Sequence, residues 1–167
     1  MSPRQTAEAQ KLVREWRPQS PKIALNEPTT TRTEKPFLPA GVALKKVGGT
    51  FVVPVEINGA ITLDFTVDSG AADVSVPLDV YSTLMRKGTI KDSDVIGERT
   101  YELADGSTSQ SFTIVIRSLK VGDIVVGSVT GSVGPMQGSL LLGQSFLERF
   151  KSWSIDNTNH VLFLEPQ

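Results

Sequence analysis

The residues most able to do chemistry stand together in Leu63-Asp64-Phe65-Thr66-Val67-Asp68-Ser69-Gly70-Ala71-Ala72, an alternating segment that ends in a small-residue turn carrying an aspartate. Asp68 alternates to the face opposite Val67, so it arrives at the turn facing away from that apolar position. Backbone N–H groups of a tight turn can hold such a carboxylate, the Ser69 hydroxyl can brace the turn, and Gly70 permits a close approach. A carboxylate held this way is suited to acid–base work. Two of them about 3 Å apart cannot both ionise, so a pair holds one proton and can activate a water. The motif occurs once in the chain.

Other chemistries are poorly served. The chain has no cysteine, which removes disulfides, thiolate nucleophiles and cysteine-based zinc sites. Its single histidine, His160, lies in the polar turn Asn157-Thr158-Asn159-His160, and no G-x-S-x-G elbow is present, which argues against a serine–histidine triad. Neither a metal nor an organic cofactor is implied.

The elements that must position Asp68 follow from periodicity. Phe51, Val53, Val55 and Ile57 alternate on one face, Asn58-Gly59 supplies a turn, and Ile61, Leu63, Phe65 and Val67 alternate back, predicting a hairpin with a type I′ turn. Val74-Ser75-Val76 reads as a short strand, and Pro77 opens a helix over 78–86 that Lys87-Gly88 closes. A second hairpin turns at Asp105-Gly106, between Tyr101-Glu102-Leu103-Ala104 and a strand at 112–116. A third turns at Gly122-Asp123, between 119–121 and 124–126, with a further strand at 129–133. Leu141-Leu142-Gly143 precedes a short helix around 145–150, and a hairpin through Trp153, Ile155, Val161, Phe163 and Leu164 ends the chain. Many short strands with glycine turns predict a mainly β, barrel-like domain with one or two short helices.

Length allows one domain. Residues 1–46 hold nine Lys and Arg against four Asp and Glu, six of the ten prolines and one of the fourteen glycines. The remainder holds eight basic against fourteen acidic residues, so a net charge of −1 conceals two unlike parts. Residues 1–46 are expected to be a flexible tail or linker, with a thin helical pattern at 6–17 before Pro18, and residues 47–167 the folded domain. The tail's positive charges are scattered among acids and prolines without an aromatic platform, so nucleic-acid binding is not expected. No stretch is apolar enough to span a bilayer, which predicts a soluble chain as given.

Four features in fixed order, the hairpin into Asp68-Ser69-Gly70-Ala71, the Asp105-Gly106 hairpin, Leu141-Leu142-Gly143 and the short helix after it, resemble the retropepsin family of single-domain aspartic proteases. The match is to its bacterial retropepsin-like branch, in which L-L-G-x-S-F-L precedes a C-terminal hairpin; here it is Leu141-Leu142-Gly143-Gln144-Ser145-Phe146-Leu147. The resemblance covers about residues 47–167. It implies a closed β-barrel half, a homodimer in which each chain supplies Asp68, and hydrolysis of peptide or protein substrates.

By the same resemblance Ser69 bonds across the dimer, and Tyr101, Leu103, Ala104, Asp105 and Gly106 belong to a flap that closes over substrate. Leu141, Leu142 and Gly143 form scaffold behind the turn. Asp73 either contacts substrate or caps its loop. Retroviral members carry an acid after D-T-G-A and an arginine after the distal glycine; Ala72 and Gln144 stand there instead, so the ion pair is absent as a unit. Bacterial relatives are often tethered outside the cytoplasm by an N-terminal membrane helix, which leaves residues 1–46 readable as a linker or as a pro-segment and the compartment open. A catalytically silent peptide-binding or dimerisation module of the same fold is the alternative.

Overall fold

The computed structural model describes residues 40–167; the thin helical pattern at 6–17 lies outside the described residues. Strand β3 (Thr50–Ile57) runs through Asn58-Gly59 into β4 (Ile61–Val67), paired from Val52 with Thr66 to Ile57 with Ile61. Asn58 and Gly59 both have positive φ, 50° and 66°, the combination a type I′ turn requires and a reason for the Asn-Gly pair. The alternation buries Val53, Val55, Ile57 and Phe65 completely. β4 therefore enters the core as a strand of fixed register, and register decides which way the next residue points.

Strand β5 (Val74–Pro77) leads directly into helix α1 (Leu78–Arg86), with Pro77 at its N-cap. The helix ends at Lys87-Gly88, where the Lys87 and Gly88 amides donate to the Thr83 and Met85 carbonyls. A single 3-10 turn (Asp92–Asp94) precedes β6 (Val95–Glu102), which pairs antiparallel with the long β7 (Thr108–Val121). β7 turns at Gly122-Asp123 into β8 (Ile124–Gly134) in one unbroken register, so the expected pieces 124–126 and 129–133 form a single strand. β9 (Leu141–Leu142), helix α2 (Gln144–Leu147), β10 (Phe150–Asp156) and β11 (Val161–Pro166) complete the chain. The expected helix stops short of 150 because Phe150 is buried as the first residue of β10, tilted against Phe146 at 5.3 Å between ring centroids.

The large sheet has the order β2-β3-β4-β9-β5-β8-β7-β6, where β2 is Lys45–Val47. A further pairing of β3 with β7, from Val55 with Val121 to Ile57 with Leu119, joins its two sides into a ring. The fold is a mainly β barrel with two short helices. Its core is filled by Phe65, Phe146, Leu84, Ile114, Ile116, Leu142 and Leu147, all fully buried. A second sheet of three strands has the order β1-β11-β10, where β1 is Ala40–Ala43.

Those first strands move the expected boundary at residue 46. Residues 40–46, assigned to the tail on composition, hold β1 and the start of β2 with Leu44 between them, and Val42 and Leu44 are buried in the core. Two alternating apolar residues beside Gly41, whose bare α-carbon lets Val161 and Phe163 pack close, are enough to build an edge strand on β11. The rest of the tail lies outside the described residues.

Candidate active site

Asp68 follows β4 where that strand runs parallel to β9, with Thr66 beside Leu141 and Val67 beside Leu142. Its amide donates to the Leu142 carbonyl at 3.2 Å, which extends the ladder one residue into the turn. The Gly70 amide donates to Asp68 Oδ1 at 2.8 Å, and the Ala71 amide to the Asp68 carbonyl at 3.3 Å. Asp68 is thus a half-exposed carboxylate on a turn whose own backbone orients it. A carboxylate accepting a backbone N–H loses little freedom on reacting, which is the preorganisation catalysis needs.

The segment after β9 fastens the other side of the turn. The Gln144 and Ser145 amides donate to the Ala71 and Ala72 carbonyls at 2.8 and 3.0 Å. Gln144 Nε2 reaches the Ser69 carbonyl at 2.8 Å, so the neutral residue in the arginine's place still ties α2 to the turn. Ser145 donates to the Thr130 carbonyl at 2.6 Å and accepts from the Val74 amide at 3.0 Å, bridging β8 to β5. Gly143 is the contact point: a β-carbon there would overlap the Asp73 carbonyl oxygen and lie 2.7 Å from that of Ala71. Leu142 and Gly143 are buried behind the turn, while Leu141 is half-buried and also reaches the cleft.

Opposite the turn stands the β6–β7 hairpin. Beyond the Glu102–Thr108 pair its tip is closed by two backbone bonds, Leu103 N–H to Ser107 at 2.8 Å and Gly106 N–H to Leu103 at 2.9 Å. Asp105 Oδ1 accepts from the Ser107 hydroxyl and amide at 2.6 and 2.9 Å, and these bonds hold its carboxyl below the usual range. Behind the tip, Tyr101 donates to Asp73 Oδ2 at 2.7 Å and lies 3.5 Å from the Thr113 hydroxyl. Arg99 reaches the same Asp73 oxygen at 3.2 Å. Burial pushes the Tyr101 phenol up, and the Asp73 charge holds the Arg99 guanidinium above its ordinary value.

A cleft of about 620 Å³ lies between the turn and the hairpin. It gathers Asp68, Gly70, Ala71 and Asp73 from the turn, Tyr101, Leu103 and Ala104 from the hairpin, and Leu141 from β9. Ser69, Asp105 and Gly106 are exposed and do not line it. Sequence reasoning missed Arg99, Thr100 and Glu102 on β6 and Ser75 and Ser132 on the floor. The signal for Arg99 was its spacing: it sits two residues from Tyr101 on a strand and so shares that residue's face. Among the described residues no group of three or more His, Cys, Asp or Glu side chains could hold a metal ion. Three carboxylates line the cleft: Asp73 is occupied by its two donors, Asp68 accepts from the Gly70 amide, and Glu102 is exposed.

Residues 53–149 match the protein family described as "gag-polyprotein putative aspartyl protease". The fold is similar to that of a retropepsin-like aspartic protease from Rickettsia conorii, with 27% identity, a TM-score of 0.53, and coverage of 75% of this chain and 97% of that one. It is also similar to the retroviral protease-like domain of Ddi1 from Leishmania major, with 20% identity, a TM-score of 0.48, and coverage of 69% and 87%. No curated protein matches the sequence.

Proposed function

Since the chain belongs to this aspartyl protease family, we propose that it is an aspartic endopeptidase that works as a homodimer, with Asp68 of each subunit forming the dyad. One observation carries the reading: each chain holds a single D-S-G turn, and its oriented carboxylate opens onto a cleft roofed by a hairpin. A second copy related by two-fold symmetry supplies the second carboxylate by the same local geometry. Two carboxylates close together share a proton. The ionised one acts as general base on a bridging water, and the protonated one polarises the scissile carbonyl. The roles then reverse to protonate the leaving amine.

The substrate is a peptide in extended form. β6 is the outermost strand of the large sheet, so one side of its backbone is unpaired and can receive an added strand. Small residues, Ala71, Ala72, Ala104, Ser75 and Ser132, leave room in the cleft for substrate side chains. Residues 1–39, which precede β1, serve as a linker or as a pro-segment, and a pro-segment would be shortened when the purified chain is incubated, which mass spectrometry reads directly.

Digestion of a peptide library tests the assignment. The wild-type chain should cleave it and Asp68→Asn should not, with the thermal unfolding transition of the variant retained. Wild-type turnover in folded Asp68→Asn would remove Asp68 from the chemistry and the proposal with it.

A further inference from the structure

We infer that Asp73 is a positioning residue that latches the base of the flap to the catalytic turn, and that the flap bends beyond the latch, between Tyr101 and Glu102. The inference rests on the reading of the β6–β7 hairpin as a flap, and adds where it is held and how much of it moves.

The Asp73 carboxylate is five residues from Asp68 on the same loop, and Asp73 is only 7% exposed. A buried carboxylate without donors is strongly unfavourable, so its partners are part of its stability. Both described donors, the Tyr101 hydroxyl at 2.7 Å and Arg99 at 3.2 Å, come from one face of β6 and converge on the same oxygen. β6 is an edge strand, its residues mostly exposed, and in the sheet it pairs with β7 alone. One carboxylate on the floor therefore holds the strand that carries the roof.

The latch also divides the hairpin. As far as Tyr101, lifting β6 would pull both donors from Asp73 and admit water to a buried charge. Past Tyr101 the residues from Glu102 to Ser107 are exposed, and the described bonds of the tip lie within the tip itself. Bending there leaves Asp73 paired. The arrangement keeps the rear of the cleft formed before substrate arrives, while the tip remains free to admit it. Preorganisation of that kind lowers the ordering cost of binding and so acts on KM more than on the chemical step.

The test measures hydrogen exchange of the β6 amides in the full-length chain, and kcat and KM on a fluorogenic peptide chosen from the library that the wild-type protein cleaves. Asp73→Ala should speed exchange at 95–101 by about tenfold, the size expected for losing hydrogen bonds to a charged group. KM should rise by a comparable factor, with kcat held within about twofold. Asp73→Asn keeps an oxygen for Tyr101 and should recover part of both effects. Tyr101→Phe, which retains the ring, should give about a threefold change in the same direction and decides the matter if Asp73→Ala does not fold. Exchange in the tip, 103–107, should stay fast in every variant.

Asp68→Asn separates the two readings, because it removes the dyad without touching the latch: β6 exchange should equal wild type. Normal β6 exchange in folded Asp73→Ala and Tyr101→Phe would overturn the latch, as would a fall in kcat at constant KM. If β6 exchange follows the expected pattern but the wild-type chain cleaves no peptide, the latch stands and the protease assignment falls.

Discussion

The turn at Asp68 is gripped from both sides, by β9 through the Asp68 amide and by 144–145 through the carbonyls of Ala71 and Ala72, whereas β6 on the opposite wall pairs with a single strand and meets the floor through Asp73. The floor is mostly backbone bonded to backbone, with Leu142 and Gly143 buried behind it. The wall is a ribbon of mostly exposed residues held by one backbone ladder, to β7, and by two side chains on Asp73. Backbone bonds in a packed core have nowhere to go when substrate binds. An exposed hairpin tip whose bonds lie within itself can bend while the side-chain bonds behind it stay made. Under the proposed function, the reacting group thus sits on the region that must not move, and the gate on the region that can.

If that contrast is real, the floor should be intolerant of change. The largest effect is expected at Gly143, where any β-carbon overlaps the Asp73 carbonyl oxygen. Gly143→Ala should destabilise the domain by about 3 kcal/mol, the upper end of ordinary overpacking, and lower activity through misplacement of the turn. Urea denaturation read by tryptophan fluorescence gives the first number. Ser145→Ala comes next, because it leaves the Thr130 carbonyl and the Val74 amide without their partner. Its expected cost is about 1–3 kcal/mol. A floor that absorbed both substitutions with unchanged midpoints would not be the rigid element described.

The tip of the β6–β7 hairpin should behave in the opposite way. Asp105→Ala removes two bonds in a fully exposed turn, so its unfolding midpoint should coincide with that of the wild-type chain. Any larger effect should appear in KM, since Leu103 and Ala104 of the tip line the cleft while the tip is exposed and adds nothing to the core.

Acid gives the smallest expected change and still sharpens the comparison. Hydrogen bonds hold the carboxyls of Asp94, Asp105, Asp156 and Glu165 below their ordinary values, chiefly bonds from Arg117, from Ser107, from the Asn159 amide and from Lys151 respectively. A carboxyl whose folded pKa is depressed stabilises the fold above its unfolded value and loses that contribution as pH falls through the folded one. Stability should therefore hold down to about pH 4 and decline only below it. Thermal melts from pH 7 to pH 2 test this, and a decline beginning near pH 6 would contradict it. A fold that persists into acid is needed if activity depends on a protonated dyad.

Much of this organisation was legible because it is written locally. Period-two alternation into Asn58-Gly59 marks the strand that delivers Asp68, and Pro77 with Lys87-Gly88 marks both ends of α1. The hairpin at Asp105-Gly106 was visible for the same reason. What could not be read depends on residues far apart in sequence. Asp73 and Tyr101 are 28 positions apart, and Ser145 meets Val74 across 71. Nothing near Asp73 reveals which donors will bury it. The tail boundary was set too late for a related reason: Val42 and Leu44 form a short pattern within a basic, proline-rich stretch, and only β11 makes Ala40–Ala43 a strand.

The central claim, that the active site exists only between two chains, is tested most directly by mixing subunits. Wild-type protein is held at fixed concentration and increasing amounts of Asp68→Asn are added, with exchange followed by a mass tag on one population. Every mixed dimer lacks half the dyad, so activity per wild-type subunit should fall, to about half at equal amounts if pairing is random, and towards zero with excess variant. Activity per wild-type subunit that stays constant while the tag shows full exchange would mean that one chain suffices, and the shared-dyad account would be wrong.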